Sequence, residues 1–287
     1  MEKLLPDVLK ELWQSVDDKQ LTGPQFYDEQ KRRLDTYRRM WRDALVLEGR
    51  WNLRKSLVWE LGSYLGIKNL SQVERQAKDA MLRTETEWHQ RVDPGNRQAV
   101  EQFYDESEVG LFELMWWHGL GWDDSPLAYV TALNFARQQA CRTYLDFGSG
   151  VCSGGILFAR HGFEVSLADI SSPLLRFGQW RLALRGLPAR FIDLKSTRLP
   201  RGTLDFITAM DVFEHLFDPV AAAEELWASL KPGGFLFGRF GTEETDKDQP
   251  QHIVQDFGPT FERMKKLGFV QVWQDEWLWG HQAFQKT

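Results

Sequence analysis

Residues 143–170 read TYLDFGSGVCSGGILFARHGFEVSLADI. Apolar residues around Tyr144 predict a buried strand, Gly148-Ser149-Gly150 predicts a turn, and an apolar stripe that ends at Gly162 predicts a helix. A second strand follows and ends in Asp169. Strand, turn, helix and strand form the first βαβ unit of a parallel sheet, whose ligand crevice lies at the carboxyl ends of the strands. Asp169 comes about twenty residues after the turn, where a carboxylate can bind the hydroxyl groups of a ribose.

The residues of the glycine turn distinguish between two classes of nucleotide cofactor. A dinucleotide site needs the spacing G-x-G-x-x-G, because the pyrophosphate lies on the N-terminus of the helix. Here the third glycine comes one residue late, at Gly154, and an acid, Asp146, lies at the end of the first strand. A carboxylate is unfavourable beside a pyrophosphate and favourable beside the ammonium group of S-adenosylmethionine (SAM). The pattern therefore favours a SAM site over that of a dinucleotide oxidoreductase.

The composition limits the possible partners. The 287 residues carry a formal net charge of -6, which disfavours non-specific binding to nucleic acid. No apolar run is long enough to cross a bilayer, and the N-terminus lacks the apolar core of a signal peptide. Two cysteines, Cys141 and Cys152, give neither a disulfide framework nor metal-ligand spacing, so no metal site is predicted. We expect a cytoplasmic protein with a small-molecule substrate and no nucleic-acid or membrane partner; the oligomeric state stays open.

The chain divides near residue 140. Residues 1–140 are predicted to be helical throughout, and they include a helix over 71–91 with a capping box at Ser71 and Glu74. From residue 141 to 287 strands and helices alternate, as in a SAM-binding domain. The last two strands, predicted over 269–273 and about 278–285, are too close in sequence for a crossover helix and must be antiparallel. The predicted fold class is α/β: a Rossmann-like, seven-stranded, mostly parallel sheet with an antiparallel last strand, preceded by an all-helical N-terminal lid region.

Three further segments carry a family resemblance. They are Asp193, the run LDFITAMDVFEHLFDP over 204–219 and the run LKPGG over 230–234. With 145–150 and Asp169, they resemble the ordered motifs of class I SAM-dependent methyltransferases over about half of the chain. The pattern departs from that family at Cys152-Ser153, where the usual residues are smaller. The resemblance implies a methyltransferase that uses S-adenosyl-L-methionine and acts on a small molecule such as a secondary metabolite.

The resemblance also implies which residues surround the cofactor. The methionine moiety would lie on the glycine turn, the ribose and the adenine at the ends of the second and third strands, and a wall after the fourth strand would close the pocket. The implied residues are Asp146 toward the amino group, Gly148, Ser149 and Gly150 along the methionine, Asp169 and Ile170 at the ribose, Asp193 and Leu194 at the adenine, and Met210 and Asp211 at the wall.

Few other residues are needed for methyl transfer. The sulfonium already makes the methyl carbon electrophilic, so the protein mainly positions the acceptor and excludes water. A base is needed only when the nucleophile is protonated. The candidates are His215, His252 and Tyr104, with His118 as a further one. Each also has a structural alternative: a helix-start histidine, a solvated loop histidine, a core tyrosine or a histidine packed between helices.

Tryptophan is abundant, and eight of the 13 tryptophans precede the glycine turn. Most of them are expected to pack in the core. Trp116, Trp117 and Trp122 flank a glycine-containing turn just before the cofactor domain. Their rings could cover the sulfonium and attract it through a cation–π interaction.

Three alternatives to methyl transfer remain. The first resembles the azetidine-2-carboxylate synthases of this fold, in which the amine of SAM attacks its own γ-carbon and methylthioadenosine leaves. The second is a non-catalytic SAM-binding partner protein, and the third is the dinucleotide oxidoreductase. The nucleoside formed from SAM separates them: S-adenosylhomocysteine, methylthioadenosine or neither.

Overall fold

A computed structural model of the chain describes residues 3–50, 52–121, 124–241, 250–254 and 256–287. Helices occupy the first half of the chain, and strands alternate with helices in the second half. The helices are α1 (Leu5–Asp17), α2 (Gly23–Leu45), α3 (Leu53–Leu65), α4 (Leu70–Lys78), α5 (Ala80–Arg91), α6 (Arg97–Glu106), α7 (Val109–Trp117), α8 (Ala128–Gln138), α9 (Ser153–Arg160), α10 (Ser172–Leu184), α11 (Pro219–Ser229) and α12 (Gly258–Leu267). The strands are β1 (Thr143–Phe147), β2 (Glu164–Asp169), β3 (Arg190–Asp193), β4 (Leu204–Ala209), β5 (Leu230–Arg239), β6 (Phe269–Gln274) and β7 (His281–Lys286). None of the helices in the described ranges has the length and apolar character needed to cross a membrane.

The strands form one sheet in the order β3-β2-β1-β4-β5-β7-β6. The pairs from β3 to β5 are parallel, whereas β7 runs antiparallel to both β5 and β6. The predicted α/β fold with its reversed last strand is therefore confirmed. The order of the strands reverses between β1 and β4, which is the point where an open α/β sheet binds its ligands.

Two elements differ from their predictions. The single helix predicted over 71–91 is broken at Asp79 into α4 and α5, and both pieces contact α7. The capping box predicted at Ser71 is wrong, because Asn69 caps α4 by accepting the Gln72 N–H at 3.3 Å. The last strand begins at His281 and not at 278, since residues 277–279 form a turn around the Asp275 carboxylate.

The start of α9 shows how the fold accepts Cys152 in place of a smaller residue. Cys152 has a left-handed backbone with φ of 60° and is fully buried. Its Sγ lies 2.1 Å from where a Cβ on Gly178 would stand. Glycine on the neighbouring helix α10 therefore provides the room that the larger side chain needs.

A buried ion cluster ties the helical half to the sheet half. Glu60 on α3 accepts hydrogen bonds from Arg181 Nε at 2.8 Å and from Arg185 Nη2 at 2.7 Å, and all three side chains are at most 1% exposed. Arg181 also donates to the Val151 carbonyl and to Ser153 Oγ, at the start of α9. The helical half thus helps to fix the loop between β1 and α9.

Candidate active site

A cavity of about 530 Å³ lies over the carboxyl ends of the strands. Its volume falls within the range of about 300–1,000 Å³ that is usual for small-molecule sites. Its floor comes from the strand ends, among them Gly148, Asp169, Met210, Asp211, Arg239 and His281. Its roof comes from the helical half, among them Tyr104, Glu113, Leu114, Trp117, His118 and Tyr129.

The glycine turn forms a close-fitting part of the floor. Gly148 and Gly150 have φ of 72° and 51°, which favours residues without a Cβ. A Cβ on Gly148 would stand 2.4 Å from Val212 Cγ2, and one on Gly150 would stand 2.8 Å from Leu114 Cδ1. A larger side chain at either position would therefore collide with a residue that lines the cavity.

Asp169 is held firmly at the edge of the cavity. Its Oδ2 accepts the Gly150 N–H at 2.8 Å, and its Oδ1 accepts the Ser171 N–H at 2.9 Å. Burial raises the pKa of Asp169, and the backbone N–H groups partly offset that rise. Each carboxylate oxygen can accept a second hydrogen bond, so the group suits a pair of ribose hydroxyls.

Two of the acidic residues predicted at the cofactor lie outside the cavity lining. Asp146 is fully buried behind the glycine turn, where its Oδ1 accepts hydrogen bonds from Thr208 Oγ1 at 2.7 Å and from Tyr129 Oη at 3.3 Å. Burial raises the pKa of Asp146 to about 7. Tyr129 lines the cavity in its place. Asp193 accepts the Lys195 N–H at 2.9 Å, and its neighbour Leu194 lines the cavity.

The three candidate bases meet in the cavity. His215 Nδ1 lies 3.1 Å from Tyr104 Oη and 3.1 Å from the Gln251 carbonyl oxygen, and the ring of His252 lies 4.8 Å from that of His215. A carbonyl oxygen can only accept, so the tautomer of His215 that bonds to Gln251 carries its proton on Nδ1 and its lone pair on Nε2. Burial, followed by the neighbouring His252, lowers the pKa of His215 to about 4. Burial raises the pKa of Tyr104 well above its usual value, so its phenol stays protonated.

Backbone hydrogen bonds bring these side chains together. Ile253 N and Val254 N donate to the Glu214 carbonyl at 2.9 and 3.1 Å. Glu214, His215 and His252 consequently present ligand atoms that all lie within 4.8 Å of one another. Two imidazoles and a carboxylate are a donor set that Zn²⁺ or Fe²⁺ can use. The sequence predicts no metal, and it gives no sign of this cluster because the segments are far apart in the chain.

The tryptophans differ in their positions. Trp117 lines the cavity and donates from Nε1 to Ser125 Oγ at 2.7 Å. Trp116 lies outside the cavity lining, under the guanidinium of Arg54 at 4.6 Å, because neighbouring residues of a helix point in different directions. Trp122 falls outside the described residues.

His118 is positioned by the start of α9. It lines the cavity, and its Nδ1 lies 2.8 Å from Ser153 Oγ. Burial lowers the pKa of His118 to about 3, with a smaller contribution from Arg181. The imidazole is therefore neutral near pH 7.

Charge in the cavity favours a cation. Its lining carries the carboxyl groups of Asp169, Asp211, Glu113 and Glu214 against the guanidinium of Arg239, whose Nη1 lies 3.3 Å from Asp211 Oδ1. Burial raises the pKa of Glu113, which favours its neutral form. A cofactor with a sulfonium and an ammonium group suits such a cavity better than one with a pyrophosphate.

A second hollow, of about 620 Å³, lies on the outer face of α2 and is lined by Arg32, Arg38, Arg39 and Arg42. Arg32 pairs with Glu29, Arg38 with Asp35 and Asp124, and Arg42 with Asp43. These arginines form a solvated face, as their interleaved acids suggest.

Sheet order and cavity together define the class. A sheet ordered β3-β2-β1-β4-β5-β7-β6, with a glycine turn after β1 and an acid after β2 in one crevice, is the fold of class I SAM-dependent methyltransferases. Residues 145–236 match the family model described as Methyltransferase domain. S-adenosylmethionine is therefore the cofactor of this domain.

The chain is similar to ubiquinone biosynthesis O-methyltransferases. The protein from Xanthomonas euvesicatoria pv. vesicatoria (strain 85-10) is 29% identical over 157 residues, which cover 50% of this chain and 64% of the relative. The protein from Histophilus somni (strain 2336) is 32% identical over 155 residues, which cover 47% and 63%. This chain thus spans less than two thirds of either relative. A SAM-dependent methyltransferase structure from Aquifex aeolicus is 20% identical and has a TM-score of 0.43, covering 68% of this chain and 97% of its own.

Proposed function

We propose that this protein is a SAM-dependent methyltransferase that transfers a methyl group to an oxygen of a small molecule. The observation that carries the proposal is one cavity in which the cofactor residues of β1 and β2 meet the imidazoles of His215 and His252. Helices of the first half form its roof, so an acceptor has to be small enough to fit beneath them. Both relatives are named O-methyltransferases, which supports oxygen as the methylated atom.

The length of the cavity supports the binding of a second substrate, the methyl acceptor, beside SAM. Lining residues follow the sheet from Asp169 on β2, past β1 and β4, to Arg239 on β5 and His281 on β7. Four strand spacings of about 4.8 Å give a length of roughly 19 Å. Cofactor residues belong to the β2, β1 and β4 part, which leaves the β5 and β7 part for an acceptor. Intramolecular cyclisation of SAM would not need that space.

The proposed reaction is an in-line displacement. A lone pair on the acceptor oxygen attacks the methyl carbon while the carbon–sulfur bond breaks, and the sulfur leaves as the neutral thioether of S-adenosylhomocysteine. The hydroxyl proton passes to Nε2 of the neutral His215 imidazole, in the tautomer whose Nδ1 donates to the Gln251 carbonyl. Tyr104 remains a phenol and orients the His215 ring. The roof excludes water, which prevents hydrolysis of SAM.

Residues 1–140 act as the lid in this proposal, and residues 141–287 act as the SAM-binding domain. The Glu60–Arg181 ion pair and the shared hydrophobic core support a lid that does not fold separately. A protein that begins at Thr143 should therefore be insoluble and inactive, because it exposes apolar surface. A soluble and active fragment would disprove the lid.

The two free, buried cysteines support a reducing, cytoplasmic location.

The test is the nucleoside formed from SAM. The chain is incubated with SAM and a panel of hydroxylated aromatic compounds, and the products are separated by chromatography. S-adenosylhomocysteine is expected; methylthioadenosine would indicate the cyclase, and intact SAM that binds without turnover would indicate a non-catalytic partner protein. His215→Gln should slow the formation of S-adenosylhomocysteine and leave the Kd of SAM unchanged.

A further inference from the structure

The last strand brings a polar side chain to the far end of the cavity. His281 is the first residue of β7 and pairs in register with Arg239 on β5. Its imidazole lines the cavity, is 2% exposed and lies 5.8 Å from the ring of Phe237 in a stacked arrangement. Within the described residues neither ring nitrogen makes a hydrogen bond of standard geometry, although the Trp279 backbone lies close enough to influence the imidazole.

A buried imidazole of this kind destabilises the folded protein when no ligand is bound. A buried donor or acceptor without a partner destabilises the folded state, and native proteins contain few of them. Burial lowers the pKa of His281, and the neighbouring Asp211 offsets this only in part. The ring is therefore neutral near pH 7 and offers one N–H and one lone pair. A phenylalanine would stack on Phe237 equally well without the unpaired nitrogens.

The position of His281 is fixed by the turn before it. The Asp275 carboxylate accepts the N–H groups of Trp277, Leu278 and Trp279 at 2.8 to 2.9 Å. Asp275 N in turn donates to the His281 carbonyl at 2.7 Å. The backbone is thus held at both sides of the turn, whereas the terminal torsion of a histidine ring has a broad energy profile. A rotation of the ring can bring one nitrogen to the cavity without moving the backbone.

We propose that His281 binds the acceptor molecule by a hydrogen bond from its imidazole to a hydroxyl group. This inference rests on the proposed methyl transfer. In that proposal the cofactor would occupy the β2, β1 and β4 part of the cavity, which leaves the β7 end for the acceptor. A hydroxyl both donates and accepts, which matches a neutral imidazole. The cavity lining also includes the apolar residues Pro126, Ala128 and Met210. The acceptor class that fits is a compact, apolar ring that carries a hydroxyl group.

Two ligands of nearly equal shape test this assignment. Phenol and fluorobenzene are titrated into the protein saturated with S-adenosylhomocysteine, and binding is followed by NMR. In the wild type, phenol should bind about tenfold more tightly than fluorobenzene, which corresponds to one hydrogen bond. In His281→Phe the preference should disappear, and in His281→Gln part of it should return. His161→Phe, on an exposed residue beyond α9, should keep the preference.

Thermal unfolding is a second measurement, and it distinguishes a ligand-binding histidine from a structural one. The Tm of ligand-free His281→Phe should equal or exceed that of the wild type, because an unpaired buried group is removed. A clear fall in Tm would make His281 structural and overturn the proposal. Equal binding of phenol and fluorobenzene to the wild type, or a preference that persists in His281→Phe, would also overturn it. Failure of the wild type to bind S-adenosylhomocysteine would count against the proposed function itself.

Discussion

Asp169 is the side chain whose replacement tests the cofactor site most directly. Asp169→Asn is expected to weaken SAM binding by about 2–3 kcal/mol, since hydrogen bonds to a charged group contribute about 1.5–3 kcal/mol each. This change raises the Kd about 30- to 140-fold. The amide retains the volume of the carboxylate and one oxygen. It loses the charge, so a hydrogen bond from the ribose to an ionised carboxylate is replaced by a weaker one to a neutral amide.

The structure adds a cost that the sequence does not indicate. Both carboxylate oxygens of Asp169 already accept backbone N–H groups, from Gly150 and from Ser171. An asparagine offers one acceptor, so one of these bonds is lost. The free energy of unfolding should therefore fall by about 1 kcal/mol. From the sequence alone, a residue at a strand end would be expected to matter little for folding.

Isothermal titration calorimetry with SAM and with S-adenosylhomocysteine measures the effect. Both ligands carry the same ribose, so both should lose affinity by the same factor. Asp218→Asn is the matched control, because the Asp218 carboxylate caps α11 through the Ala221 N–H and lies outside the cavity lining. An unchanged Kd in a folded Asp169→Asn protein would refute the ribose assignment.

Three further predictions follow from the structure. Glu60→Gln removes the buried counter-charge of Arg181 and Arg185, and urea denaturation should show a loss of about 3 kcal/mol; a loss of under about 1 kcal/mol would contradict this account. Trp117→Leu should weaken the binding of SAM by about 1–2 kcal/mol but leave S-adenosylhomocysteine unaffected, because the ring attracts only the cation; equal losses by calorimetry would mean that the ring only packs. His118 and His215 lower the stability as the pH drops from 6.5 towards 4, because the unfolded chain protonates them while burial holds their folded pKa values at about 3 and about 4; Asp146, whose pKa burial raises to about 7, acts in the opposite direction. The difference in urea midpoint between the wild type and His215→Gln should therefore change across this pH range, and a constant difference would contradict this account.

The fold was predictable because its signals are local. The glycine turn, its helix and the next strand lie within residues 143–170, and the short link before β7 forces the antiparallel pairing. The break at Asp79 was not predictable, since the sequence around it keeps a helical pattern. There, contacts of α4 and α5 with α7 decide the bend. Contacts between distant segments are absent from any local pattern.

The residues of the site were also predictable only where the signal is local. For the others, the packing on each face of the sheet and the order of the strands decided the outcome. Asp169 ends its strand at the cavity, as the sequence suggests, whereas Asp146 pairs in register with Thr208 and points to the buried face where Tyr129 lies. Side chains alternate between the faces of a sheet, and only the packing of α8 on one face decides what each side contacts. His281 reaches the cavity only because β7 inserts between β5 and β6. A histidine in a late strand carries no local sign of this, so the residues that touch an acceptor are harder to predict than those that hold the cofactor.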